Sequence, residues 1–86
     1  MLWIPIDRSL DISLIRQVYY QIRERILNGD LQSGEKLPST RELSSELNVS
    51  RNVILEAYDQ LFSEGFLVAR QGAGTFIAEG TYLEQR

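Results

Sequence analysis

The sequence predicts a small, mainly helical domain that ends in one β-hairpin. Apolar residues recur at spacings of three and four along successive stretches of the chain, which is typical of helices with one buried face. Residues that cap helix ends bound these stretches. Two short runs of β-favouring residues then flank the glycine-rich segment 70–74, which indicates the hairpin. The 86 residues suffice for one hydrophobic core and not for two.

The first helix is expected from Ser13 to Asn28. Its apolar stripe consists of Ile15, Val18, Tyr19, Ile22 and Ile26. Ser13 or Asp11 can accept a hydrogen bond from the first turn, and Gly29 supplies the left-handed residue that commonly follows a last turn. We therefore place the first helix directly before a turn at Asn28-Gly29.

Two further helices are expected to follow a loop at 30–38. Ser39 and Glu42 have the spacing of a capping box, which starts the second helix. Asn48 tolerates the left-handed conformation, so the second helix ends there. Ser50 caps a third helix that Gly65 stops. The second and third helices are thus joined by a tight turn of about three residues.

The hairpin and the chain ends complete the predicted organisation. Strands are expected at 66–69 and 75–78, which gives a fold of three helices plus a two-stranded wing over residues 13–78. Residues 1–12 are predicted to form an N-terminal arm that Trp3 anchors on the domain. Residues 79–86 read as the start of a linker or a disordered tail.

The composition excludes several classes of function. The chain has no Cys and no His, so it offers no disulfide framework, thiolate nucleophile or imidazole base. It has no stretch of roughly 20 apolar residues that could span a bilayer. We expect a soluble, cytoplasmic protein that is not an enzyme and has no metal site.

The order helix, helix, tight turn, helix, hairpin is that of a winged helix-turn-helix, in which the third helix enters the DNA major groove. The first turn of that helix carries Ser50, Arg51 and Asn52. Arginine can bond guanine through two hydrogen bonds and asparagine can do the same with adenine, whereas serine suits phosphate oxygens. These three residues are the predicted reading end of the domain.

Further DNA-binding candidates lie at the start of the second helix and in the wing. They are Lys36, Ser39, Arg41, Arg70, Gln71, Gly72 and Gly74. The glycines let the wing backbone approach a minor groove closely. The net charge of −3 opposes non-specific attraction to phosphate, so we expect weak, salt-sensitive binding by this chain alone.

Four motifs together resemble the winged-helix domain of the GntR family of bacterial transcription regulators. They lie at 37–43 (LPSTREL), 49–52 (VSRN), 57–65 (AYDQLFSEG) and 72–76 (GAGTF). The opening residues 4–9, and residues 50–52 together with 55–58, further resemble the MocR subfamily. Members of that subfamily join this domain to a large domain shaped like a fold-type I aminotransferase, which binds pyridoxal phosphate.

The resemblance implies roles for individual residues and for the parent protein. Arg41 matches an operator-contacting arginine, Ser50 to Asn52 match the reading end of the recognition helix, and Gln71 with Gly72 match the wing tip. Leu55 departs from the pattern, because some members carry a DNA-reading arginine there. It could make an apolar contact to a thymine methyl or pack against the fold.

The resemblance also leads us to expect double-stranded operator DNA as the partner. We expect the parent to be a homodimer and the isolated domain to be monomeric or weakly associating. No cofactor is expected in this chain; pyridoxal phosphate would belong to a missing C-terminal domain.

Two other interpretations remain open from the sequence. One is a short GntR regulator with a small helical C-terminal extension and no cofactor. The other is a winged helix that serves as a protein-interaction module, which the acidic net charge would favour if Arg41 and Arg51 were held in internal ion pairs.

Overall fold

The structure, a computed structural model, describes residues 4–80. Its helices are α1 (Leu14–Leu27), α2 (Thr40–Leu47) and α3 (Arg51–Ser63), and its strands are β1 (Lys36–Leu37), β2 (Leu67–Arg70) and β3 (Gly74–Ile77). The strands form one antiparallel sheet in the order β1-β3-β2. This is the predicted winged helix-turn-helix.

The predicted helix caps are present. The Ser39 hydroxyl accepts a hydrogen bond from the Glu42 backbone N–H, and the Glu42 carboxylate accepts one from the Ser39 N–H. Asn48 adopts the left-handed conformation, with φ 56° and ψ 47°. Ser13 and Ser50 cap α1 and α3 through their hydroxyls. These local contacts set where the two helices of the helix-turn-helix begin and how sharply the chain turns between them.

The wing differs from the predicted two-stranded hairpin, because a third strand, β1, pairs with β3. Lys36 lies opposite Phe76, and Leu37 opposite Thr75. The sequence analysis placed these residues in a loop, since two residues before a proline show no alternation. Their pairing depends on a strand about forty residues further along the chain, which local pattern does not reveal.

The core lies between α1, α3 and the inner face of the sheet. Its fully buried side chains are Ile4, Val18, Ile22, Leu43, Ile54, Leu61 and Ile77. Burial of such aliphatic groups is the main favourable contribution to folding. Among residues 4–80, no helix has the length and apolar character needed to cross a membrane.

The segment before α1 is held against the helices. Ile4 is 1% exposed and belongs to the core. The Gln17 side chain accepts a hydrogen bond from the Asp7 N–H and donates to the carbonyls of Asp7 and Ile12. Arg8 donates to the carbonyl of Asn48 in the turn of the helix-turn-helix. Trp3, the predicted anchor, and residues 81–86 of the predicted tail lie outside the described residues.

Candidate nucleic-acid interface

The starts of α2 and α3 touch each other. The Arg51 Nε lies 3.4 Å from the Thr40 hydroxyl, at the limit of a hydrogen bond. Thr40 is the first residue of α2 and precedes Arg41, so this contact brings the first turns of the two helices together. Ser39, Arg41, Ser50, Arg51 and Asn52 are all exposed there. Two positive helix ends are therefore side by side on one surface.

Tyr58 fixes α3 against the start of α2. Its hydroxyl donates a 2.7 Å hydrogen bond to the Pro38 carbonyl, and burial raises the pKa of the phenol. Pro38 directly precedes the Ser39 cap. The sequence did not predict this contact, because the helical pattern gives no sign of the group that the Tyr58 hydroxyl meets.

The wing is tied to the start of α2 through Lys36. Lys36 belongs to β1, four residues before α2, and its side chain lies over Gly74. A Cβ at position 74 would lie 2.8 Å from the Lys36 Cε, and Gly74 has φ +123°, which other residues rarely adopt. Both the conformation and the close approach of Lys36 therefore favour glycine at this position.

Arg70 stacks on an aromatic ring that the sequence analysis did not single out. Its guanidinium carbon lies 4.7 Å from the centroid of the Phe76 ring. Arg70 pairs with Gly74, so Phe76 is its diagonal neighbour on the same face of the hairpin. Arg70, Gln71 and Gly72 are exposed at the wing tip.

Among the residues that the structure describes, the cations of this surface form no ion pairs. Within residues 4–80 the one ion pair joins Arg23 and Glu24 in α1. Lys36, Arg41, Arg51 and Arg70 are all exposed. From sequence, a protein-interaction module was favoured only if internal carboxylates held Arg41 and Arg51 in ion pairs. Within residues 4–80 neither arginine has such a partner.

Two residues of α3 qualify the predicted reading end. The Asn52 amide donates a 2.9 Å hydrogen bond to the Glu56 carboxylate one turn later, so base reading by Asn52 would require this exposed contact to break. Leu55 is 40% exposed and is not part of the core.

The Glu42 carboxylate belongs to the capping box and also interacts electrostatically with Lys36. Hydrogen bonds from the backbone and hydroxyl of Ser39 lower the pKa of the Glu42 carboxyl, and Lys36 adds to the shift. A lowered folded-state pKa means that the ionised carboxylate stabilises the fold above the unfolded pKa, and that this contribution is lost as pH falls through the folded pKa.

Glu42→Gln is accordingly expected to make the melting temperature less sensitive to acid, because glutamine cannot titrate. Melting curves across the acidic range would measure this. Glu46→Gln, which removes the same charge from the same helix without touching the capping box, is the control. Equal acid sensitivity in wild type and Glu42→Gln would contradict the expectation.

Comparison with known proteins identifies the family. The family described as "Bacterial regulatory proteins, gntR family" matches residues 14–77. The chain is 42% identical over 73 residues to the probable rhizopine catabolism regulatory protein MocR of Rhizobium meliloti, covering 85% of this chain and 15% of that protein. That relative supports the MocR-like resemblance. The chain thus spans less than a fifth of the length of the curated relatives matched first.

Solved structures agree with this result. YtrA of Sulfolobus acidocaldarius, a GntR-family transcription factor, superposes with a TM-score of 0.84 at 34% identity, covering 95% of this chain and 86% of that one. The DNA-binding domain of AraR in complex with an operator superposes with a TM-score of 0.72 at 32% identity, covering 90% and 93%. The chain therefore belongs to the gntR family of bacterial regulatory proteins and carries that family's DNA-binding winged-helix domain.

Proposed function

We propose that this chain binds operator DNA sequence-specifically, with α3 in the major groove and the wing at 70–74 in the minor groove. The contact between Arg51 and Thr40 carries the proposal, because it joins the two helix starts into one surface. Exposed cations that have no ion pair within residues 4–80 then extend from α3 across α2 and β1 to the wing. The similar DNA-binding domain of AraR is found in complex with an operator, which supports operator DNA as the partner.

In this arrangement the residues have separate tasks. Arg51 and Asn52 read base edges from the first turn of α3. Ser39, Arg41, Ser50 and Lys36 bind phosphate oxygens, which positions the helix without reading sequence. The wing approaches the minor groove with Arg70, Gln71, Gly72 and Gly74.

Titration of duplexes tests the proposal. Duplexes selected from a randomised pool by the 86-residue chain would be titrated at several salt concentrations. Wild type is expected to prefer the selected sequence and to bind less tightly as salt rises. Binding that depends on neither salt nor sequence would contradict the proposal and favour a protein-interaction module.

Arg41→Ala is expected to make the slope of log K against log salt concentration shallower by about one, where K is the association constant for the duplex, because one phosphate contact is lost. Arg16→Ala removes the same charge from α1, outside the proposed interface, and is expected to leave the slope unchanged. If Arg41→Ala keeps the wild-type slope, Arg41 does not contact phosphate.

Phe76→Leu is expected to weaken operator binding through Arg70, because the stacked ring restricts the guanidinium to fewer orientations. A double-mutant cycle with Arg70→Ala measures this: the Phe76→Leu loss should largely disappear once Arg70 is alanine. Phe76→Tyr keeps the aromatic face and is the matched control. Additive losses would show that Phe76 acts independently of Arg70.

We further propose that the parent regulator is a cytoplasmic, MocR-like homodimer on paired half-sites and that it is not an enzyme in this domain. Two observations support this proposal. Dimeric helix-turn-helix proteins bind palindromic operators with two half-sites, and the MocR relative is several times longer than this chain. Pyridoxal phosphate, if the parent uses it, would be held elsewhere, since Lys36, the one lysine of this chain, lies in the wing over Gly74. Sedimentation of the 86-residue chain is expected to show a monomer, and a stable dimer would contradict that expectation.

A further inference from the structure

We propose that Leu55 reads the C5-methyl group of a thymine in the operator. This inference rests on the proposed function, and it assigns a specificity-determining role to an apolar side chain. The observation behind it is that Leu55 is 40% exposed although it lies in the same helix as the buried Ile54, Ala57, Tyr58 and Leu61. Leu55 is the only apolar residue among the exposed residues of α3, and in the proposed complex this helix lies in the major groove, where base edges would cover the side chain.

The position of Leu55 places it beside the reading end. At 3.6 residues per turn, Leu55 lies one turn after Arg51 and about 40° around the helix from it. On the same geometry Leu55 lies about 60° from Tyr58, the nearest buried residue, so it borders the buried face of α3 on the side of Arg51. A helix that inserts its first turn into a groove therefore carries Leu55 to the base edges just behind Arg51.

The chemistry of the groove leaves one complement for a leucine there. Base edges in the major groove present donors and acceptors, and the thymine methyl is their one apolar feature in unmodified DNA. The neighbouring side chains on the exposed face, Asn52, Glu56 and Asp59, are polar or charged. Among these exposed neighbours, Leu55 is the residue whose side chain gains free energy from burial against a methyl group without needing a hydrogen bond.

Replacement of single thymines by deoxyuridine tests this directly, because it removes one methyl and leaves base pairing and hydrogen-bonding edges intact. Each thymine of the selected operator would be replaced in turn. When one particular thymine per half-site is replaced, wild type is expected to bind the duplex about fourfold more weakly. This is the loss expected when the burial of one methyl-sized group is removed. Leu55→Ala is expected to bind the thymine and uracil duplexes equally at that position.

Two variants control for other causes. Leu55→Met keeps an apolar side chain of similar volume and is expected to retain the preference for thymine. Leu10→Ala removes another exposed leucine, outside α3, and is expected to leave the profile of wild type.

The possible failures are distinguishable. If wild type binds the operator specifically but no thymine loses affinity on replacement, the inference is overturned and the proposed function stands. If Leu55→Ala keeps the wild-type loss at the sensitive thymine, another residue reads that methyl and the inference again fails. If no duplex binds specifically, both the inference and the proposed function are wrong.

Discussion

Arg51→Ala is expected to weaken binding to the selected operator by about 1–3 kcal/mol and to relax base preference at one base pair. The reason is geometric: Arg51 is exposed in the first turn of α3, it has no carboxylate partner among residues 4–80, and its Nε touches Thr40 and so orients the side chain along the helix starts. Affinities for the operator and for every single-base variant measure both effects.

Arg16→Ala is the matched control for Arg51→Ala, because it removes an exposed arginine whose side chain donates a hydrogen bond to Tyr20 within α1. It is expected to leave the base preference unchanged. If Arg51→Ala weakens all sequences uniformly, Arg51 binds phosphate and the base reading passes to Asn52 or Leu55.

Leu61→Ala is expected to lower the free energy of unfolding by about 2–5 kcal/mol, because it leaves a cavity where a fully buried side chain packed. Leu61 is 0% exposed in the centre of the core. Domains in general are stable by only about 5–15 kcal/mol, and one this small has little to spare, so a substantial fraction of unfolded protein is expected.

Denaturant unfolding measures the loss, and Leu55→Ala provides an internal comparison. It is the same substitution in the same helix, at a side chain that is largely outside the core. We expect Leu55→Ala to change unfolding by less than about 0.5 kcal/mol. Similar losses for both variants would contradict the assignment of Leu55 to the surface.

The parts of the fold that sequence predicted are those set by short-range chemistry. The capping box at Ser39 and Glu42, the left-handed Asn48 and the cap at Ser50 each depend on residues within a few positions of one another. The parts that it did not predict depend on distant residues. Strand β1 exists because Lys36 meets Phe76, and the Tyr58 hydroxyl finds the Pro38 carbonyl twenty positions away.

The candidate site shows the same division. Exposure of the reading residues follows from their place in a first turn, and the family motifs indicated which turns to consider. The contacts that orient them do not follow: Arg51 with Thr40, Arg70 with Phe76 and Asn52 with Glu56 depend on rotamers and packing. Contacts that orient the proposed DNA-binding residues are thus harder to predict from sequence than the candidate residues themselves.

The pairing of β1 with β3 has a mechanical consequence. Because this ladder joins the hairpin to the strand that leads into α2, it restricts movement of the wing relative to the start of the helix-turn-helix. In the proposed complex the protein would then adjust little to the distance between the two grooves. The duplex must then supply the adjustment, and base steps that bend or twist at low energetic cost would be selected between those grooves although no side chain touches them.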